Sequence, residues 1–352
     1  MFNQKEIMRG ILTLSAILIG FNNCIIAQTP VQQGYATLNW SDEFNTPNIS
    51  INNWLLVNNC DHVEGNQLYK ASNIAVDNGS LSITIKNEIT TFPSVDLSLV
   101  SSSSACGNYD NLIYNYSSGW VESQYLRAFD KGYIEARIKM PSTLKVSPGF
   151  WLWRDEDPIA TNDAEIDIFE HVVAPTSLSE YSTNIHTNAS ANPNLALENE
   201  NYVRISKPGF NFNEWHTYGI EKSDDRIIWY LDGEVVRVLY NHDITDSQRI
   251  IFNIKVDAIA AQMGSTIFDN MLIDYVRVYD LNYPCANNGV ICSSLFPSSS
   301  SFENLSIGNG ACINTVQPNA IYRFNAEKSI TIPSSFECPQ GSQIILLTGG
   351  CH

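Results

Sequence analysis

Between residues 35 and 280 the chain reads as a succession of short apolar-polar runs. Ser80–Lys86 (SLSITIK), Gly132–Lys139 (GYIEARIK), Ile227–Leu231 (IIWYL) and Asp274–Tyr279 (DYVRVY) either alternate or are filled with β-branched and aromatic residues. Side chains two apart share one face of a strand, so each run predicts a strand with a core-facing side. Gly, Asn, Asp and Pro separate the runs, and Asp77-Asn78-Gly79 and Asp232-Gly233 predict tight hairpin turns. Helical periodicity is hardly sustained anywhere. Many short strands over roughly 250 residues predict an all-β fold of the sandwich or jelly-roll kind.

The two ends of the chain differ from this middle. Lys5 and Arg9 precede a short apolar run, Ile11–Phe21, and small Ala27 precedes polar Gln28. That pattern predicts a signal peptide over 1–27 and an exported protein: secreted, periplasmic or held at the cell surface. No later segment has the length to span a membrane as a helix. Beyond residue 27 there are cysteines at 60, 106, 285, 292, 312, 338 and 351, crowded toward the C-terminus. Export permits disulfides, and the odd total leaves one thiol unpaired within a monomer. The tail lacks a CxxC pair and has His352 as its only histidine, so disulfides are favoured there over zinc. Residues 28–282 are expected to form the main domain. The Ser-, Asn- and Pro-rich stretch 283–302 is expected to be a linker, and 303–352 a small Cys-rich β module with strands near Ala320–Phe324, Ser329–Ile332 and Gln343–Leu347.

Charge narrows the partners. With 37 acidic and 20 basic residues the formal charge is −17, yet 44% of the chain is hydrophobic and 11% aromatic, enough for a core. Nucleic acid is excluded as a partner, because phosphate contacts need clustered Lys and Arg. A strongly anionic polymer would be repelled unless the binding site itself were locally basic.

The candidate chemistry lies in Glu165-Ile166-Asp167-Ile168-Phe169-Glu170. In a regular strand Glu165 and Asp167 share one face and Ile166 and Ile168 the other. Strict alternation would then bury Glu170 in the core and expose Phe169, which is costly. A β-bulge at Ile168-Phe169 removes the conflict, because one extra residue shifts the parity. All three carboxyls then share a face, and their mutual repulsion raises at least one pKa. One ionised and one protonated carboxyl is what a retaining glycosidase requires. A calcium site or a solvated acidic strand are the competing readings of the same six residues.

EIDIFE resembles the bulged E-x-D-x-x-E signature of family 16 glycoside hydrolases, the laminarinase, agarase and carrageenase group. LNWSDEFN (38–45), GYIEARIKMP (132–141), GFWLW (149–153), EWHTYGIE (214–221), IIWYLDG (227–233) and MLIDYVRVYD (271–280) resemble further segments of that family in the same order. The resemblance implies a concanavalin-like β-jelly roll with an open cleft for a polysaccharide. It implies Glu165 as nucleophile, Glu170 as acid/base and Asp167 as the assistant of Glu165, with no cofactor needed for catalysis. His186 stands where the family often has a histidine beside the catalytic strand. Trp151 and Trp153 share parity and are candidates to stack a sugar ring, Trp153 being nearer the loop. A structural calcium is implied at Asp274, with backbone oxygens near Glu43 and Gly79. Cys60 and Cys106 are a candidate disulfide. The chain departs from the glucan-cleaving members at RDEDPIATNDA before Glu165, at Phe169 and at RIIFNIKVD, so β-1,3-glucan is a starting guess, with an agar, porphyran or carrageenan galactan as alternative. The expected protein is a monomeric endo-hydrolase. A transglycosylase would use the same residues, and a silent carbohydrate-binding protein would have no need of them.

Overall fold

The computed structural model describes residues 29–57, 67–91, 113–123, 127–154, 164–170, 177–186, 201–223, 226–240, 242, 244, 246–257, 260, 263–281, 286–291, 300–307, 321–332 and 343–348. The expected signal peptide and all eight cysteines lie outside these residues, and with them the Cys60–Cys106 pair. Among the described residues no helix is long and apolar enough to cross a membrane.

The strands, in chain order, are β1 (Ala36–Asp42), β2 (Leu55–Leu56), β3 (Gln67–Tyr69), β4 (Ile74–Asp77), β5 (Ser80–Thr91), β6 (Ile113–Ser118), β7 (Trp120–Glu122), β8 (Ala128–Phe129), β9 (Gly132–Lys139), β10 (Val146–Arg154) and β11 (Glu165–Glu170). There follow β12 (Glu180–His186), β13 (Val203–Ser206), β14 (His216–Lys222), β15 (Arg226–Leu231), β16 (Glu234–Tyr240), β17 (Gln248–Val256), β18 (Phe268–Leu281), β19 (Ala286–Ile291), β20 (Ser300–Ile307), β21 (Ile321–Thr331) and β22 (Gln343–Thr348). One sheet of ten strands runs β16-β15-β14-β9-β18-β5-β6-β3, with β1 added on β18 and β4 on β5. A second, of eight, runs β13-β12-β11-β10-β17-β7-β2, with β8 on β17. The two are a sandwich, as the alternation predicts.

Every strand quoted from the alternation is present. The two turns are as their sequences require: Asn78 and Gly79, and Asp232 and Gly233, all have positive φ, the geometry that closes the β4–β5 and β15–β16 hairpins. Alternate residues of β10, β11 and β17 fill the space between the sheets. Phe150, Leu152, Ile166, Ile250, Phe252 and Ile254 are buried in one core cluster with Ile134, Ile220 and Ile273 of the other sheet. Truncating any one of these to Ala would cost about 2–5 kcal/mol.

Toward the C-terminus a third sheet runs β19-β20-β21-β22. Residues expected as a linker, 283–302, contain β19 and the start of β20, and β19 pairs in parallel with β20, Ala286 against Phe302. Parallel pairing continues through β21 and β22. A Ser- and Asn-rich stretch has low strand propensity, but backbone pairing with a neighbouring strand outweighs propensity. Ser329–Ile332, expected as a separate strand from Ala320–Phe324, falls for the most part inside the single strand β21.

Candidate active site

The six-residue motif is a strand, and it is bulged where parity requires. Against β10, Phe169 pairs with Phe150 and Asp167 with Trp151, which leaves Ile168 as the extra residue. Against β12, Asp167 pairs with Asn184 and Glu170 with Ser182, so two residues of β11 oppose Thr183 alone. Ile166, Ile168 and Phe169 are 0%, 2% and 0% exposed. Phe169 has turned inward against Tyr218 of the other sheet, with ring centroids 4.8 Å apart.

Directly paired residues of an antiparallel sheet point to the same face. The face of the eight-stranded sheet turned away from the core therefore carries Glu165, Asp167 and Glu170 on β11. Beside them lie His186, Asn184 and Ser182 on β12, and Trp153, Trp151 and Gly149 on β10. Next come Arg249, Ile251, Asn253 and Lys255 on β17. Gly149 is required there: a Cβ on it would stand 2.7 Å from Oδ1 of Asn253, the atom that accepts the indole N–H of Trp151 at 3.1 Å.

Burial and mutual repulsion set the charges. Burial, then the neighbouring Asp167, pushes the Glu165 carboxyl up to about 8, against the restraining charge of His186. Burial and Glu170 push Asp167 up to about 6. His186 is held in turn up to about 9, first by its bond to Asp167, in spite of burial. Its Nε2 lies 3.5 Å from Asp167 Oδ2 and 3.8 Å from Glu165 Oε1. Glu165, Asp167 and His186 present ligand atoms within 4.8 Å of one another, a metal-like spacing. Their charges are coupled: His186 restrains both carboxyls, and both carboxyls raise His186. Replacing His186 by Asn removes the cation that restrains both carboxyls. The acid limb of kcat/KM is then expected to move to higher pH, by on the order of one unit. An unmoved limb would separate His186 from the chemistry.

The structure divides the two tryptophans. Trp151 is 6% exposed and packs edge-on against Trp120, 5.4 Å between centroids, in a cluster with Tyr69 and Ile251. Trp153 is only partly buried, stacks on Trp151 and has the Arg249 guanidinium 5.2 Å from its ring centroid. Trp153 is thus the more exposed of the two rings and Trp151 its support.

Lys255 and Arg249 were not singled out from the sequence. Lys255 Nζ lies 3.1 Å from Glu170 Oε1, reaching diagonally from β17 past Gly149. Arg249 Nε lies 3.5 Å from Glu122. Their signal was the alternation of RIIFNIKVD itself, whose apolar residues Ile250, Phe252 and Ile254 fill the core and turn Arg249, Asn253 and Lys255 to the open face.

The proposed calcium ligands also converge. Pairing of Asp42 with Val276 and of Leu81 with Ile273 brings Glu43 and Gly79 close to Asp274. The charges there are already balanced, since Arg137 bonds Asp274 at 2.7 Å and Arg277 grips both oxygens of Glu43 at 2.9 Å. Arg137 holds only Oδ2 of Asp274, so a calcium ion would share that carboxylate with it. The charge balance predicts an unchanged melting temperature on chelation, and a fall would show that calcium binds at Asp274 beside that arginine.

The model of the GH16 domain of beta-porphyranases A to D matches residues 36–281. The chain is 28% identical over 222 residues to the kappa-carrageenase of Pseudoalteromonas carrageenovora, covering 56% of this chain and 49% of that protein. It is 26% identical over 218 residues to beta-porphyranase B of Zobellia galactanivorans, covering 58% and 68%. The chain thus spans about half the length of the carrageenase it matches. In fold it is like the catalytic domain of an endo-1,3-beta-glucanase (laminarinase) of Thermotoga petrophila, with a TM-score of 0.55 at 22% identity, covering 70% of this chain and 98% of that one. With the bulged carboxyl strand in its place at the centre of the matched region, the chain belongs to family 16 of the glycoside hydrolases.

Proposed function

We propose that this protein is an exported, retaining endo-hydrolase of an anionic galactan of the porphyran or carrageenan kind. One observation carries the reaction: the bulge at Ile168-Phe169 sets Glu165, Asp167 and Glu170 in a row on an open sheet face, beside the partly exposed ring of Trp153. The pair reacts with its proton on Glu170: ionised Glu165 attacks the anomeric carbon and forms a glycosyl ester, while Glu170, released from its resting pairing with Lys255, gives that proton to the departing oxygen. Glu170 then takes a proton from water, the water attacks the anomeric carbon, and Glu165 leaves. Asp167 and His186 take part through charge. The imidazolium draws negative charge onto the pair of carboxyls and so favours the ionised nucleophile.

Two features support the galactan over the glucan. The family model that matches is that of the porphyranases. Both porphyran and carrageenan bear sulfate, and the open face carries Lys255, partly exposed beside Glu170, on a chain of overall charge −17. An open face, as opposed to a closed pocket, suits attack within a chain.

The test is reducing-end release by the protein on porphyran, agarose, carrageenan, laminarin and mixed-linkage glucan, with Glu165→Gln as control. Release from a sulfated galactan, lost in the variant, is expected. Release from laminarin alone would return the reading to β-1,3-glucan. Silence throughout from a folded protein would favour a carbohydrate-binding role.

A further inference from the structure

The bulge that aligns the carboxyls also breaks the strand ladder on both of its sides, against β10 between Phe150 and Trp151 and against β12 between Asp167 and Glu170. A buried carbonyl at such a break needs a donor from elsewhere. The carbonyl of Asp167 finds one across the core. The indole Nε1–H of Trp229, on β15 of the opposite sheet, donates to it at 2.9 Å, and Trp229 is 1% exposed. Arg237 of β16 lies over the same indole, its Cζ 4.4 Å from the ring centroid. Its Nη1 donates to Oγ1 of Thr183 at 2.9 Å and its Nη2 to the carbonyl of Asn201 at 2.7 Å. Thr183 is the residue of β12 that stands opposite the bulge. The bulged strand and β12 beside it are therefore tied to one stacked pair of side chains from the other sheet.

We propose that Trp229, with Arg237 stacked on it, is the positioning element of the site: through the Asp167 carbonyl and Thr183 it fixes the depth and tilt of the bulged strand, and so the placement of the three carboxyls. The inference rests on the reading of those carboxyls as the reacting groups. Neither side chain touches the open face, so neither is itself catalytic. Regular pairing holds an ordinary strand in place without help. A strand with an interrupted ladder has lost bonds where its reacting groups sit, and a misplacement of about 1 Å can cost about 10²-fold in rate. The pair supplies charge as well as geometry. Burial brings Arg237 down to about 10, with Asp167 opposing the fall, so a buried cation lies behind a cluster of acids. From the open side the same cluster is faced by His186 of β12 and Lys255 of β17.

Trp229→Phe keeps a ring in the core and removes only the N–H and the outer ring edge. The expected result is a fall in kcat of about 10- to 100-fold with KM within about twofold, and a shifted His186 titration followed by NMR, because His186 takes its high pKa first from Asp167. Ile83→Val, a core truncation on β5, four strands along the sheet from β15, serves as the stability control; it is expected to lower the melting temperature and leave both readouts unmoved. If Trp229→Phe behaves like Ile83→Val, or lowers kcat while His186 titrates as before, the proposal is overturned. Should Trp229→Phe fail to fold, Arg237→Gln removes the stacked cation and the Thr183 bond, and the same two readouts decide. A shifted His186 titration in a protein that Glu165→Gln leaves fully active would uphold the positioning element and sink the catalytic reading.

Discussion

Glu165→Gln is expected to lower turnover by on the order of 10⁴-fold or more, and at the same time to raise the melting temperature above neutral pH. The first effect follows from the loss of the group proposed to form the glycosyl ester. The second follows from the electrostatics of the row. Burial and Asp167 push Glu165 from the usual carboxylate value up to about 8. Between about 4.5 and 8 the folded protein thus holds a proton that the unfolded chain has released, so stability falls as pH rises through that window. Gln has no proton to lose and escapes the cost. His186, also raised, adds stability below its ordinary value that is lost by about pH 9, but that slope is largely common to both proteins. The difference in melting temperature should be near zero at pH 4.5 and grow toward pH 8, at about 2–4 °C for each kcal/mol. Near-normal turnover would remove Glu165 as nucleophile. A pH-independent difference in melting would mean that the carboxyl is not held in a charge-hostile site. A variant that is dead yet more stable is the signature of a strained catalytic group, since loss of fold cannot produce it.

The fold was legible because alternation with period two states which face of a strand meets the core, and the hairpin turns carry residues that tolerate positive φ. The bulge was legible for a related reason: only one extra residue reconciles buried Phe169 with an unburied Glu170, and the register shows it at Ile168. What parity cannot state is reach. Lys255 is two strands away from Glu170 in the sheet, and nothing in IIFNIKVD says that its side chain crosses Gly149 to an acid. The bond from Trp229 to the Asp167 carbonyl joins residues 62 apart in different sheets, and it falls where the bulge interrupts the ladder. Asp274 shows the opposite limit. The sequence offered it together with Glu43 and Gly79 but not the two arginines, Arg137 and Arg277, that pair with the two acids. Among the tryptophans parity proposed both, and only the packing of Trp120 and Tyr69 shows that Trp151 is covered while Trp153 is open.

Glu170→Gln should act on rate and stability in a pattern distinct from that of Glu165→Gln. As the group that protonates the departing oxygen, Glu170 is worth about 10²- to 10⁴-fold when the leaving sugar is a poor leaving group. An aryl glycoside whose phenolate departs unaided needs no proton in that step, so the variant should keep much of its rate on such a substrate while losing it on polysaccharide. Equal loss on both would count against the acid role. Stability should move in the direction opposite to that of Glu165→Gln. Glu170 is the counterion of Lys255 at 3.1 Å, the two side chains being 13% and 29% exposed. Burial alone would pull the Lys255 ammonium down, and Glu170, Tyr69 and Asp167 together outweigh it. Gln keeps the shape and an acceptor oxygen but leaves that ammonium without its charge partner. The cost should lie between the ~1 kcal/mol of an exposed pair and the ~3–5 kcal/mol of a fully buried one. Lys255→Met in the same background should recover part of the lost stability, because it removes the stranded cation, while leaving the leaving-group dependence in place. Recovery of stability without recovery of activity would separate the two duties of Glu170, one toward its lysine and one toward the glycosidic oxygen. Failure to recover either would mean that the 3.1 Å contact is not what holds Glu170 in the row.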